Sequence, residues 1–134
     1  MRARLLLPVV TCVLLAWGRI VYPQDVSYQK AIIGSWEFHG EDILEIMHFD
    51  KDGTFIQKFE SAFFMVMGQP GPIQTGTWVV KDGYLFITMK TSTPPQAESL
   101  LGKTFQVKID RIDDKTLILS EDNGKDSIIY IRKK

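Results

Sequence analysis

The sequence predicts an all-β fold, an eight-stranded antiparallel up-and-down barrel preceded by one short helix. From residue 35 onward there is no helical period, and short β-rich runs alternate with turn signals at close spacing. Most of these runs carry one apolar and one polar face, which suits a sheet closed on itself. The links at one end of the predicted strands are all short, whereas two links at the other end are long.

The N-terminus is predicted not to belong to the barrel. Arg2 and Arg4 precede a long apolar run, and the small residues Ala16 and Gly18 lie two apart at its end. This layout is typical of a secretory signal peptide comprising residues 1–18, with cleavage after Gly18. The alternative is an uncleaved membrane anchor, because the apolar run is nearly long enough to span a bilayer.

Composition limits the function of the remaining single domain, residues 19–134. Cleavage removes Cys12, the only cysteine in the sequence, so the exported chain has neither a disulfide nor thiol chemistry. Cleavage also removes two of the 16 basic residues, leaving 14 against 16 acidic residues and a net charge of about −2. This balance excludes a basic footprint for nucleic acid. Membrane attachment is expected only through a retained signal.

Each predicted element follows from a local signal. Asp25 is the expected N-cap of a short helix over residues 25–33, and Gly34 follows its C-terminus. The predicted strands cover residues 35–39, 43–49, 54–68, 75–80, 84–90, 103–112, 116–120 and 126–132. Gly53 and Gly83 follow Asp in tight links, where hairpin turns require a positive φ. Such links join neighbouring strands in antiparallel fashion.

The lengths of the links distinguish the two ends of the predicted barrel. The links at the end that we call the bottom are 50–53, 81–83 and 113–115. The links at the top are 40–42, 69–74, 91–102 and 121–125, and the link 91–102 has the residues for one helical turn. Because functional residues tend to lie on long loops held by a rigid scaffold, the top is the predicted working end.

Three short motifs and one arginine carry a resemblance to a known family. Gly34 and Trp36 form a G-x-W motif, residues 76–78 repeat it, and residues 49–54 match an F-x-x-D/N-G-T hairpin. With Arg132 near the end of the last strand, the chain resembles lipocalins, and above all the short bacterial lipocalin-like domains, which are small calycin-type barrels. The resemblance implies that Trp36 fills the closed end, with Arg132 packed across its indole, and that the open end binds a small ligand.

An apolar cluster at the top is the candidate ligand site. The third strand is predicted to continue through an apolar run to Gly68, with alternate residues facing inward. The candidate ligand-binding residues are Phe63, Met65, Met67, Ile73, Met89, Leu100, Leu101 and Phe105. Methionine is adaptable and common at permissive binding surfaces. The same pattern also fits an ordinary core covered by a loop, because a narrow barrel is easily filled by its own side chains.

Phe64 and Val66 are expected to face out of the barrel and are the candidate partner surface, unless the N-terminal segment or the link 91–102 covers them. The sequence therefore predicts an exported, non-catalytic protein, secreted or periplasmic, that binds a small apolar or amphipathic ligand. The alternative is a protein-interaction module, such as an inhibitor or an envelope assembly factor, in which these two side chains meet the partner.

Neither a metal site nor a catalytic site is predicted. His39 lies near the top and His48 near the bottom, and Glu45, three residues before His48, points to the opposite face. The sequence shows no convincing Ser-His-Asp set and no glycine-rich phosphate loop. We therefore expect no catalytic residue, no bound metal and no cofactor.

Overall fold

The computed structural model describes residues 23–93, 101–121, 124 and 126–134. The predicted signal peptide lies outside these residues, and so does the helical turn predicted after Thr93. No helix within the described residues is both long enough and apolar enough to cross a bilayer.

The described residues form two helices and eight strands. The helices are α1 (Pro23–Ala31) and α2 (Ala62–Val66). The strands are β1 (Gly34–His39), β2 (Ile43–Phe49), β3 (Thr54–Ser61), β4 (Ile73–Lys81), β5 (Tyr84–Thr93), β6 (Thr104–Ile112), β7 (Thr116–Ser120) and β8 (Ser127–Arg132). Each strand pairs antiparallel with its neighbours in the chain, and β8 pairs with β1 to close the barrel. The predicted eight-stranded barrel with a short N-terminal helix is therefore confirmed.

The prediction that the third strand continues to Gly68 is wrong. β3 ends at Ser61, whose Oγ accepts a hydrogen bond from the backbone N–H of Phe64 at 3.3 Å and so caps α2. After the helix, Gly68 has a φ of 65°, which is typical of a residue just beyond a helix C-terminus. An apolar run without alternation does not specify a strand, and here its serine and glycine borders favour a short helix.

The change from strand to helix relocates five predicted site residues. Phe63, Met65 and Met67 do not face the barrel interior, and Phe64 and Val66 do not lie on the outer face of a strand. Successive side chains turn by about 100° in a helix and by about 180° in a strand. The predicted division of this run into an inner and an outer row therefore does not apply.

The bottom half of the barrel holds a solid apolar core. Trp36, Phe49, Phe55 and Leu117 are almost completely inaccessible to solvent. The rings of Phe49 and Phe55 lie 5.2 Å apart, and Trp78 meets Phe49 edge-on at 5.5 Å, a geometry that aromatic pairs favour. The core therefore lies below the predicted working end and keeps the barrel rigid.

Helix α1 packs across the bottom of β4, where β3 no longer pairs with it. The side chain of Gln29 accepts a hydrogen bond from the Val80 N–H at 2.9 Å. The carboxylate of Asp25 accepts bonds from the backbone N–H groups of Asp82 and Gly83 at 2.7 and 2.8 Å. Asp25, the predicted N-cap, lies instead inside the first turn of α1, where it holds the β4–β5 hairpin.

Candidate functional site: the ends of the barrel

Trp36 and Arg132 close the bottom of the barrel. The guanidinium carbon of Arg132 lies 4.1 Å from the centroid of the Trp36 ring, within the range of a cation–π contact. The same guanidinium donates hydrogen bonds to the carbonyl oxygens of Ala31 at 2.7 Å, Ile33 at 2.9 Å and Asp114 at 2.8 Å. This one side chain therefore joins the last strand to the junction between α1 and β1.

Gly34 leaves room for the Arg132 guanidinium. Its φ of 127° is a conformation that L side chains rarely adopt, and an added Cβ would lie 2.7 Å from Nη1 of Arg132. Two residues later, Trp36 faces the interior and donates its indole N–H to the carbonyl of Ile32 at 2.9 Å. In the G-x-W motif, Gly34 thus leaves space for the Arg132 guanidinium, and Trp36 provides the aromatic ring that the guanidinium covers.

At the top, the barrel interior is accessible. Inward-facing Trp36 and Phe49 are fully buried, whereas Phe105 and Ile128, which also face inward, are 37% and 41% exposed. An inward side chain of a closed barrel meets solvent only through an end. We call this accessible part of the interior the upper lumen; its side chains are Phe38, Glu45, Gln57, Phe59, Phe105 and Ile128, and the buried Tyr130 borders it.

A polar network lies within the upper lumen. The hydroxyl of Tyr130 donates to one carboxylate oxygen of Glu45 at 2.6 Å, and the amide of Gln57 donates to the other at 2.9 Å. Burial raises the pKa of the Tyr130 hydroxyl far above its ordinary value, and the negative charge of Glu45 raises it further. Tyr130 therefore remains protonated and keeps donating to Glu45 under all ordinary conditions.

The raised pKa of Tyr130 predicts a loss of stability in alkali. Above about pH 10 the unfolded chain releases the Tyr130 proton while the folded chain retains it, so the free energy of unfolding falls as pH rises. In Tyr130→Phe this fall should be shallower by about 1.4 kcal/mol per pH unit. Urea unfolding of both proteins between pH 8 and about 11.5 measures the difference. Equal slopes would contradict it.

The apolar rim at the top consists of α2 and the residue after it. Met65 and Val66 are 80% and 86% exposed, and Phe63 and Met67 are exposed as well. Phe64 is half-buried and meets the Phe63 ring edge-on, with centroids 5.7 Å apart. The apolar rim thus presents four large apolar side chains to solvent beside the entrance of the barrel, three from α2 and one from Met67.

The structure distributes the eight predicted ligand-binding residues over different places. Met89 and Phe105 face the barrel interior. Phe63, Met65 and Met67 belong to the apolar rim, Ile73 borders a concavity of about 370 Å³ beside α2, and Leu101 is exposed just before β6. Leu100 lies outside the described residues. The assignment of these residues as ligand contacts stays a prediction.

Sequence reasoning did not select Phe38, Glu45 or Tyr130 for the site. A signal for them was present in the strand alternation, because Phe38 lies two residues after Trp36 and Tyr130 two residues before Arg132. Glu45 shares its face of β2 with inward-facing, buried residues at 47 and 49. The polar groups of Glu45 and Tyr130 concealed the inward orientation of these two residues.

The two histidines lie apart, on the outside of the barrel. His39 contacts Glu37 at 2.9 Å, and His48 contacts the hydroxyl of Ser35 at 2.7 Å. Glu45 faces the interior, opposite in direction to His48, as the strand spacing predicts. Within the described ranges, no three His, Cys, Asp or Glu side chains converge in a way that suits a metal ion.

Comparison with known proteins supports the barrel. No protein-family model matches the sequence, and no curated protein matches it. The chain is similar in structure to an uncharacterised protein from Bacteroides eggerthii, with a TM-score of 0.54 and 14% sequence identity, over 76% of this chain and 99% of that chain. At this identity the likeness concerns the fold alone, an eight-stranded antiparallel barrel.

Proposed function

We propose that this chain is an exported, secreted or periplasmic, lipocalin-like protein that binds a small apolar or amphipathic molecule in its upper lumen without catalysing a reaction. One observation carries the proposal. The inward side chains are fully buried around Trp36, whereas Phe105 and Ile128 are more than a third exposed. The barrel thus combines a filled bottom with an accessible, mostly apolar top, the arrangement that a small-molecule site requires.

Binding would derive its free energy from removing apolar surface from water. Phe59, Phe105 and Ile128 supply the apolar contacts, and the filled core, to which Met89 belongs, limits how deep a guest reaches. A guest that buries about 200 Å² of apolar area gains about 5 kcal/mol before the cost of association is subtracted. Even without any cost of association, about 5 kcal/mol corresponds to a dissociation constant of about 0.2 mM, so sub-millimolar or weaker affinity is the expected outcome for a guest of this size.

Two adjacent isoleucines allow a matched test. Ile128 faces the upper lumen, whereas Ile129 faces outward and is 54% exposed. N-phenylnaphthylamine, a neutral fluorescent apolar probe, should bind the purified protein. Its affinity should fall by about tenfold or more in Ile128→Trp, which fills the lumen, and remain unchanged in Ile129→Trp. An absence of binding, or equal binding by both variants, would overturn the proposal.

A protein-interaction module is the second candidate, favoured by the exposure of α2. Val66, predicted for a partner surface, is the most exposed of the large apolar side chains on this helix. If this function holds, light scattering over a range of concentrations should show self-association that Val66→Asp abolishes. Val79→Asp, an outward, half-exposed position on β4, is the control. A monomer at every concentration, with probe bound in the lumen, favours the carrier.

A further inference from the structure

Glu45 is a carboxylate inside the barrel for which the described residues provide no counter-ion. Its side chain faces the interior and is half-buried. No Lys, Arg or His of the described part of the chain forms an ion pair with it. Removing a charge from water is costly unless the charge is paired or hydrogen-bonded. Two neutral donors hold Glu45 in place, but no cationic side chain in the described ranges compensates its negative charge.

Aromatic side chains surround this carboxylate. The strand register places Phe38 directly beside Glu45 on one neighbouring strand and Phe59 directly beside it on the other. Directly opposed residues on the same face of an antiparallel pair have Cβ atoms about 5 Å apart. Tyr130, which donates to Glu45, lies against Phe38 with ring centroids 6.1 Å apart. Three rings therefore adjoin the one carboxylate.

We propose that Glu45, Phe38 and Phe59, with the buried Tyr130 holding Glu45 in place, form a recognition site for an organic ammonium group, so that the guest of the barrel is an alkylammonium compound with an apolar tail. The inference rests on the proposed function and specifies its ligand class. Aromatic rings attract ammonium groups through the negative charge of their faces, and recognition of alkylated ammonium by aromatic cages is an established use of this attraction.

The hydrogen bonds of Glu45 prepare it for such a head group. Gln57 and Tyr130 each occupy one lone pair on a different carboxylate oxygen, which fixes the orientation of the side chain. Each oxygen retains acceptor capacity for an N–H donor of the guest. The partly apolar surroundings strengthen the attraction between Glu45 and a cation relative to bulk water, and they equally strengthen the repulsion of an anion.

The test compares three guests that share one tail and differ in head group. Decyltrimethylammonium, decanol and decanoate are titrated into the purified protein at concentrations below micelle formation, and calorimetry measures each affinity. The cation should bind about tenfold more tightly than the alcohol, and the carboxylate should bind more weakly than either. Equal affinities, or a preference for the carboxylate, would overturn the ammonium assignment and leave the carrier function standing. Failure of all three guests to bind would remove the carrier function itself.

A pair of conservative variants assigns the preference to Glu45. Glu45→Gln keeps the shape of the side chain and removes its charge, so the preference for the cation should fall by about tenfold while decanol still binds. Glu60→Gln, at an exposed position on the outer face of β3, should retain the preference. A preference that survives in Glu45→Gln would overturn the proposal. Circular dichroism checks that each variant is folded, and if Glu45→Gln does not fold, the three wild-type affinities decide.

Discussion

Replacing Arg132 with methionine is expected to lower the free energy of unfolding by about 3 kcal/mol. The substitution keeps an extended side chain near Trp36 but removes the cation over its ring. It also leaves three carbonyl oxygens without the charged donor that they have in the native protein. Urea unfolding followed by the fluorescence of the tryptophans measures the loss.

Two variants distinguish the role of this side chain from a general effect of charge. Lys133→Met, at the next and exposed position, should change the free energy of unfolding by about 0.5 kcal/mol or less. Arg132→Lys retains the charge but lacks the planar fork that serves three acceptors, so it should recover only part of the stability. If Arg132→Met unfolds at the same urea concentration as the wild-type protein, the guanidinium does not contribute to the stability of the closed end.

Gly76→Ala is expected to lower the free energy of unfolding by about 3 kcal/mol, because the added Cβ on β4 would clash with the backbone of β5. The register of β4 and β5 shifts between Thr75 and Gly76, and this irregularity brings the chains very close. A Cβ at position 76 would overlap the carbonyl group of Thr88, lying 2.9 Å from its carbon and 3.2 Å from Cα of Met89. Neither group is the flexible end of a side chain, so the strands themselves must separate. Urea unfolding measures the cost.

Gly68→Ala is the matched control for this clash. An added Cβ at Gly68 meets no atom within 4 Å, although the φ of 65° disfavours an L side chain. Gly68→Ala should therefore lower the free energy of unfolding by only about 1 kcal/mol, because the backbone conformation is its only unfavourable term. If the two alanine variants lose the same stability, close approach of β4 and β5 is not the reason for glycine at position 76.

Much of the barrel was predictable because each hairpin has its own local signals. The sequence-predicted boundaries of β2 and β7 coincide with the structure. A short turn that contains Asp50 and Asp52 follows β2, and a short turn that contains Asp113 precedes β7. The lengths of the links also predict that Arg132 lies at the same end as Trp36, and the contact between the two side chains agrees with this. Alternation of polar and apolar residues and the choice of turn residues are local properties of the sequence. They are nearly sufficient to predict a sheet in which every strand pairs with its neighbours in the chain.

The departures from prediction arise where local pattern is ambiguous or where distant residues meet. The run from Ala62 to Gly68 is apolar throughout and so lacks the alternation that separates strand from helix. The upper lumen depends on registers across several strands, and the hydrogen bond between Tyr130 and Glu45 joins residues 85 positions apart. No local property of Tyr130 or Glu45 predicts this hydrogen bond.

The pairing of β1 with β8 has a consequence for synthesis. Arg132 bonds to Ile33 across 99 positions of the chain, so closure must overcome a large entropy of ordering the intervening segment. Such distant contacts slow folding. While the chain grows on the ribosome, β1 has an unpaired edge until β8 emerges, and a nascent chain halted before β8 exposes an edge on β1 and another on β7 that invite pairing with other copies.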